Sequence, residues 1–144
     1  MEPIIKHILI IDNDETTRRL FGSLLSTAGY EILYAKDGEI GREMARRFHP
    51  DLILLDMNMP GGEDGFKTAD RIKNEPSSPA FDIPIVLFTS SDLSIEAQKW
   101  MTEVGIMDYI QKGINNDEFI ERIKKIFDKL DNKSSQKDQK EKWE

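Results

Sequence analysis

Short apolar runs alternate with longer amphipathic segments along this sequence, and this alternation constrains the fold more than any other feature. Each of five apolar runs is followed by a segment whose apolar residues recur at the helical period. That pattern is typical of repeated β-α units whose strands pair in parallel. The predicted strands are residues 7–11, 31–35, 52–55, 83–88 and 107–110, and the predicted helices are residues 14–28, 38–48, 64–74, 94–104 and 116–130.

The third apolar run indicates where the middle of the sheet lies. Residues 52–55 read Leu-Ile-Leu-Leu, so they are apolar at every position and not only at alternate ones. A strand of this kind is buried on both faces, which is the situation of a central strand in a parallel sheet. The sequence therefore predicts an α/β domain with a parallel sheet.

Length and composition narrow the class of protein. A chain of 144 residues fits one domain with a substantial core, and the absence of cysteine excludes disulfides, thiol nucleophiles and zinc-thiolate sites. The chain starts without signal-peptide features and has no apolar run approaching the roughly 18 residues of a membrane span, so we expect a cytoplasmic protein. A net charge of −7 argues against direct binding of nucleic acid and favours a metal or protein partner.

The last part of the chain differs in composition from the rest. Beyond Leu130 the sequence is polar and poor in apolar residues, so it cannot offset the entropy lost on ordering. We therefore predict a domain over residues 1–130 and a disordered tail over residues 131–144.

Chemically active side chains follow four of the predicted strands. Asp12 follows the first strand, Asp56 the third, Thr89 the fourth and Lys112 the fifth. Because ligands of open parallel sheets bind at the carboxyl ends of the strands, these side chains should converge on one site. Carboxylates beside one another suit Mg²⁺. A carboxylate that attacks phosphorus needs such a cation, an ammonium and a hydroxyl around the phosphoryl oxygens.

Less specific roles are open for several of these residues. Asp14, which also follows the first strand, is either part of the acidic pocket or the N-cap of the first helix. Thr89 could bond only to backbone groups, and Lys112 could be a solvated lysine.

Four motifs together resemble the receiver domain of two-component response regulators over residues 6–130. They are Ile8-Leu-Ile-Ile-Asp-Asn-Asp-Glu15, Asp51-Leu-Ile-Leu-Leu-Asp-Met-Asn-Met-Pro60 with Asp64-Gly-Phe66, Pro84-Ile-Val-Leu-Phe-Thr-Ser90, and Gly105-Ile-Met-Asp-Tyr-Ile-Gln-Lys112. The resemblance implies a three-layer, doubly wound, flavodoxin-like fold with a five-stranded parallel sheet in the order 2-1-3-4-5.

The resemblance also implies a role for each site residue. Asp56 would accept a phosphoryl group from a phosphohistidine on a sensor histidine kinase or phosphotransfer protein. Mg²⁺ or Mn²⁺ would bind Asp12, Asp56 and the backbone carbonyl of Asn58, with the amide oxygen of Asn13 available as a further ligand. Thr89 and Lys112 would bind phosphoryl oxygens. Thr89 and Tyr109 would form the switch, and the alternative for Tyr109 is an ordinary half-buried strand tyrosine.

Three positions depart from the pattern of that family. Asn13 stands where the second acidic residue is usual, which removes a charge from the pocket and puts metal affinity in doubt. The loop at residues 61–63 is one residue longer than the common form. Gly113 replaces the usual proline after the lysine, so a cis peptide there is not expected, because a non-proline cis bond costs about 2.5 to 4 kcal/mol. We therefore expect Lys112 to be held less rigidly.

The predicted protein is a stand-alone phosphoacceptor and not an enzyme, apart from self-phosphorylation by small donors and autodephosphorylation. Its output would be contact with a downstream effector protein through helix four, strand five and helix five, as a monomer or weak dimer. Two alternatives are open. One is a binding module that works without phosphorylation, and the other is a haloacid-dehalogenase-type phosphatase with Asp12 as nucleophile, because residues 12–16 also resemble the Asp-x-Asp-x-Thr motif.

Overall fold

The computed structural model describes residues 4–59, 63–75, 80 and 82–142, with residues from 134 onward described by their backbone alone. These residues divide into two compact units, one ending at Gly113 and the other beginning at Ile114. The elements in chain order are β1 (His7–Ile11), α1 (Glu15–Thr27), β2 (Glu31–Ala35), α2 (Gly38–Phe48), β3 (Leu52–Asp56), α3 (Gly65–Asn74), β4 (Ile85–Thr89), α4 (Ile95–Val104), β5 (Asp108–Gln111) and α5 (Asn116–Lys142).

The five strands form one parallel sheet in the order β2-β1-β3-β4-β5. The chain therefore winds outward in both directions from the β1–β3 pair, which is the place where open α/β sheets bind ligands. Every residue of β3 and β4 is buried, because both faces of these central strands are covered. The flavodoxin-like fold and strand order predicted from the resemblance are confirmed.

Helices of the first unit cover both faces of the sheet. On one face, side chains of α2, α3 and α4 such as Ala45, Ile72 and Val104 pack in one cluster with strand residues. On the other face, Phe21 of α1 meets Phe88 of β4 edge to face, with ring centroids 4.5 Å apart. Each fully buried large apolar side chain contributes about 1.5 to 3 kcal/mol, so these two layers stabilise the sheet beneath the strand ends.

Side-chain caps define where four of the helices begin. Each capping oxygen accepts a hydrogen bond from a backbone N–H in the first turn, which that turn would otherwise leave without a partner. The caps are Asp14 for α1, Asp37 for α2, Asp64 for α3 and Ser94 for α4. These caps lie at or next to the predicted helix starts because short polar side chains at such positions are visible in the sequence.

Some boundaries differ from the predicted ones. β4 was predicted to begin at Ile83 but begins at Ile85, because the Ile83 N–H bonds the carbonyl of Ala80 in a turn. The predicted end of the last helix near Leu130 was wrong, since α5 continues to Lys142. The added residues contain neither glycine nor proline and are rich in lysine and glutamine, so an existing helix extends through them at little cost. The domain boundary at residue 130 stays a prediction.

The described residues contain neither a cis peptide bond nor a helix suited to cross a membrane. No peptide bond among them is cis, as expected from Gly113. None of the helices in the described part combines the length and apolar character that a membrane crossing requires.

Candidate functional site

The carboxyl edge of the sheet brings together three of the predicted site residues. Lys112 Nζ lies 2.9 Å from Oδ2 of Asp12 and 3.0 Å from Oδ1 of Asp56. Asp12 directly follows β1, Asp56 ends β3 and Lys112 directly follows β5. Parallel pairing places these ends at one edge, so residues far apart in sequence form one ion-paired group.

Asp12 is almost fully buried, at 1% exposure. Its Oδ1 accepts a hydrogen bond from the Asp14 N–H at 2.9 Å. Its Oδ2 is buried and forms an ion pair with Lys112, but it accepts no hydrogen bond with suitable geometry. A buried carboxylate oxygen with lone pairs to spare is a fitting ligand for a hard cation.

Asp56 is also buried, at 3% exposure. Its Oδ1 accepts hydrogen bonds from Lys112 Nζ and from the Asn58 N–H, the latter at 3.2 Å. The start of α3 lies directly behind this turn, because a Cβ on Gly65 would stand 2.3 Å from the carbonyl oxygen of Asp56. Glycine at position 65 therefore permits the close approach.

Electrostatics favour a cation between the carboxylates. Burial, and then the charge of Asp12, raise the pKa of Asp56, while Lys112 and the Asn58 N–H oppose the rise. Burial would lower the pKa of Lys112, but hydrogen bonds and charges from Asp12 and Asp56 outweigh it and raise the pKa. With both carboxylates ionised, the group carries two negative charges against one positive charge. It attracts a further positive charge.

The predicted metal ligands suit Mg²⁺, although few protein side chains would bind it. The described residues contain no group of three or more acidic, histidine or cysteine side chains arranged to hold a metal. Mg²⁺ is nevertheless commonly bound by one or two carboxylates with waters completing its octahedron, which Asp12 and Asp56 can supply. Asn13 and Asn58, which follow these two carboxylates closely in the chain, are exposed residues.

The hydroxyl of Thr89 has local partners in this structure. Thr89 is buried at the end of β4, and its Oγ1 donates to the Ser91 carbonyl at 2.9 Å and accepts from the Ser91 N–H at 3.2 Å. The Thr89 carbonyl accepts from the Lys112 N–H at 2.7 Å, which ties the ends of β4 and β5 together. Tyr109 is half-buried and packs against the core beneath α2, α3 and α4. The structure therefore places Thr89 at the expected edge with its hydroxyl turned to its own loop.

Two residues near the site have roles that the sequence alone left open or missed. Asp14 caps α1, accepting from the Thr16 N–H and from the Thr17 hydroxyl. Arg18, which sequence reasoning missed, donates from Nη1 to the backbone carbonyl of Asp12 at 2.5 Å. The available signal was a basic residue in the first turn of the helix that follows the strand end. Residues 61 and 62 of the loop that was predicted to be longer lie outside the described residues.

Comparison with known sequences gives a family and several relatives. The response regulator receiver domain matches residues 8–124. The probable transcriptional regulator ycf27 of Porphyridium aerugineum is 34% identical over 129 residues, which are 89% of this chain and 50% of that protein. Protein PilH of Pseudomonas aeruginosa is 28% identical and covers 83% of this chain and 95% of its own. The chain spans about half the length of the ycf27 relatives it matches.

Solved structures agree. The N-terminal domain of a response regulator receiver protein from Methanoculleus marisnigri is 31% identical, with a TM-score of 0.70 over 85% of this chain and 97% of that one. The chemotaxis protein CheY4 of Vibrio cholerae, at 24% identity, shares the fold with a TM-score of 0.76 over 85% of this chain and 98% of that one. On these matches and on the ordered strand-end motifs, the chain belongs to the response regulator receiver domain family.

Proposed function

We propose that this domain is the phosphoacceptor of a two-component phosphorelay, with Asp56 receiving a phosphoryl group from a phosphohistidine of a histidine kinase or phosphotransfer protein. The observation that carries the proposal is the buried Asp56 carboxylate with the Lys112 ammonium at 3.0 Å and Asp12 bound to the same ammonium. The transfer would take place in the compartment of the kinase, which we expect to be the cytoplasm.

The chemistry follows from these side chains. A carboxylate oxygen of Asp56 attacks phosphorus, the bond from phosphorus to the donor imidazole nitrogen breaks, and its electron pair returns to the imidazole. Mg²⁺ bound to Asp12, Asp56 and the Asn58 carbonyl would neutralise phosphoryl oxygens during this step. The Lys112 ammonium, already on Asp56, is close enough to follow the developing charge. Asp12 holds that ammonium and is not itself the nucleophile.

The output of phosphorylation would be an altered protein-binding surface. A phosphoryl group adds charge and acceptor oxygens at Asp56. Thr89 would exchange its two bonds to Ser91 for a bond to the phosphoryl group, and Tyr109 would occupy the space released. The affected elements would be α4, β5 and α5, and the partner would be a downstream effector protein. Such a switch is a shift between two packings of one fold.

Incubation with acetyl phosphate and Mg²⁺, followed by intact-mass measurement, tests the proposal. We expect a mass increase of one phosphoryl group that is lost in Asp56→Asn and on chelation of the metal. Asp51→Asn is the matched control, because Asp51 is an exposed carboxylate just before the opposite end of the same strand and should leave labelling unchanged.

Two results would contradict the proposal in different ways. Absence of any adduct on the folded protein would favour a binding module that works without phosphorylation. Continuous release of phosphate that requires Asp12 but persists in Asp56→Asn would favour the phosphatase, for which Asp14, already capping α1, is a poorly placed second acid.

A further inference from the structure

Glu63 has a largely enclosed carboxylate that no part of the phosphoacceptor chemistry uses. Its side chain is 9% exposed and accepts a hydrogen bond from Arg42 Nε of α2 at 3.0 Å. Arg71 Nη1 of α3 donates to the other carboxylate oxygen, and the Thr68 hydroxyl lies 3.0 Å from the first. Both oxygens are thus engaged, and two partners are charged, which makes these bonds stronger than neutral ones.

The cluster is also tightly enclosed. A Cβ on Gly38, the first residue of α2, would lie 2.0 Å from Thr68 Oγ1 and 2.6 Å from Glu63 Oε2. The first turn of α2 is therefore pressed against the Glu63 carboxylate. Because Glu63 bonds side chains from both helices, it fixes the beginning of α3 relative to α2.

The beginning of α3 is in turn the support of the phosphoacceptor turn. The Gly65 N–H donates to the Met57 carbonyl at 3.2 Å. A Cβ on Gly65 would come within 2.7 Å of Met57 Cα and 2.3 Å of the Asp56 carbonyl oxygen. Glu63 is two residues before Gly65, so a shift of this helix start would move the backbone that presents Asp56 and Asn58.

We propose that Glu63 is a positioning residue of the phosphoacceptor site, acting through Arg42, Arg71 and the start of α3 on the turn after Asp56. The inference rests on the proposed function, because the turn it supports is the one that offers Asp56 and the Asn58 carbonyl to the cation.

The test compares Glu63→Gln with Glu43→Gln. Both substitutions remove a carboxylate paired with arginine, but Glu43 pairs with Arg46 on the exposed surface of α2. We expect Glu63→Gln to weaken Mg²⁺ binding and slow labelling by acetyl phosphate by about 10-fold each, the scale seen when supporting partners of ligands are lost. Glu43→Gln should change neither. Equal values for wild type and Glu63→Gln would overturn the inference.

Amide hydrogen exchange without metal separates positioning from general stabilisation. The Gly65 amide reports the contact with Met57, and the Leu54 amide in the middle of β3 reports global unfolding. We expect exchange at Gly65 to accelerate several-fold more than at Leu54 in Glu63→Gln. Equal acceleration at both would mean that Glu63 only stabilises the fold, which overturns the inference. If the wild type takes no phosphoryl group, the proposed function fails, and the Gly65 readout by itself still decides whether Glu63 positions the turn.

Discussion

Lys112 Nζ is held by carboxylate oxygens from two different strand ends, at 2.9 Å and 3.0 Å. The two carboxylates are buried and repel each other, which raises the pKa of Asp56 beyond the effect of burial. The lysine relieves part of this repulsion but leaves a net negative charge. At the scale of single residues the site is therefore an unfavourable arrangement that a cation would improve, which is the common condition of functional sites.

One consequence concerns stability and pH. The pKa of Asp56 lies above 3.8 in the folded protein and near 3.8 in the unfolded chain. At a pH between these two pKa values the folded state binds more protons than the unfolded state. The free energy of unfolding therefore falls as pH rises through this range. Without divalent cations, Asp56→Asn should therefore increase the free energy of unfolding at neutral pH, by about 1.4 kcal/mol for each unit of the shift. The gain should shrink as pH falls towards 3.8.

Urea denaturation at about pH 7 and about pH 4 measures this difference. Asp51→Asn, which removes an exposed carboxylate bonded to His7, serves as the control and should not stabilise the protein. A destabilised Asp56→Asn at neutral pH would mean that the hydrogen bonds of Asp56 outweigh its desolvation.

A second consequence concerns metal binding. Asn13→Asp adds a negative charge next to Asp12. Two opposite unit charges about 4 Å apart attract each other by about 1 kcal/mol even in water, and the attraction to a divalent ion is twice as large. We expect Mg²⁺ to bind roughly ten-fold or more tightly in Asn13→Asp, measured by calorimetric titration. Asn132→Asp makes the same charge change on an exposed position of α5 and should leave affinity unchanged. Equal affinities for both variants would show that position 13 is not near the ion.

At the scale of elements, several helix boundaries have an identifiable physical cause. Four starts depend on short polar caps, and α4 ends at Gly105 with a φ of 97°. The end of α2 is different, because His49 takes the left-handed conformation at a φ of 45°. Its ring lies 3.0 Å from Asp82, an exposed contact of small value.

The end of α2 gives a prediction about stability. His49→Gly and His49→Ala lose the same ring contact, but only glycine adopts the left-handed conformation without strain. We expect the glycine variant to be more stable than the alanine variant by about 1 kcal/mol in chemical denaturation. Equal stability of the two variants would indicate that the helix ends differently in solution.

At the scale of the whole molecule, the proposed switch requires that a small change at the strand ends reach a surface. Thr89 is the last residue of β4, and its backbone carbonyl is bonded to the Lys112 N–H while its hydroxyl is bonded to Ser91. Of these two contacts, the hydroxyl bond to Ser91 is the local one, and the hydroxyl could exchange it for a bond to a phosphoryl oxygen. The proposed switch thus requires few bonds to break, which suits a transition between two packings.

This switch predicts where the molecule changes. Binding of the phosphoryl mimic beryllofluoride with Mg²⁺ should shift amide resonances at the site and within residues 93–130, which include α4, β5 and the first part of α5. Asp56→Asn under the same conditions should show no such shifts. Shifts confined to the strand ends would rule out this output surface.

The sequence alone could predict the type and order of every element, because strand runs, helical periods and caps are short-range properties. It also placed Asp12, Asp56, Thr89 and Lys112 at strand ends, where parallel pairing must collect them. The strand order came from the resemblance to a family and not from periodicity.

Only the tertiary structure determined features that depend on neighbours distant in the chain. The ammonium of Lys112 lies between Asp12 and Asp56, Thr89 turns its hydroxyl to Ser91, and Glu63 bonds arginines on two helices. Rotamers and ion pairs of this kind are selected by burial and by the charges that packing brings together. The pattern of a sequence fixes which side chains reach an edge of the sheet, whereas packing fixes what each of them touches there.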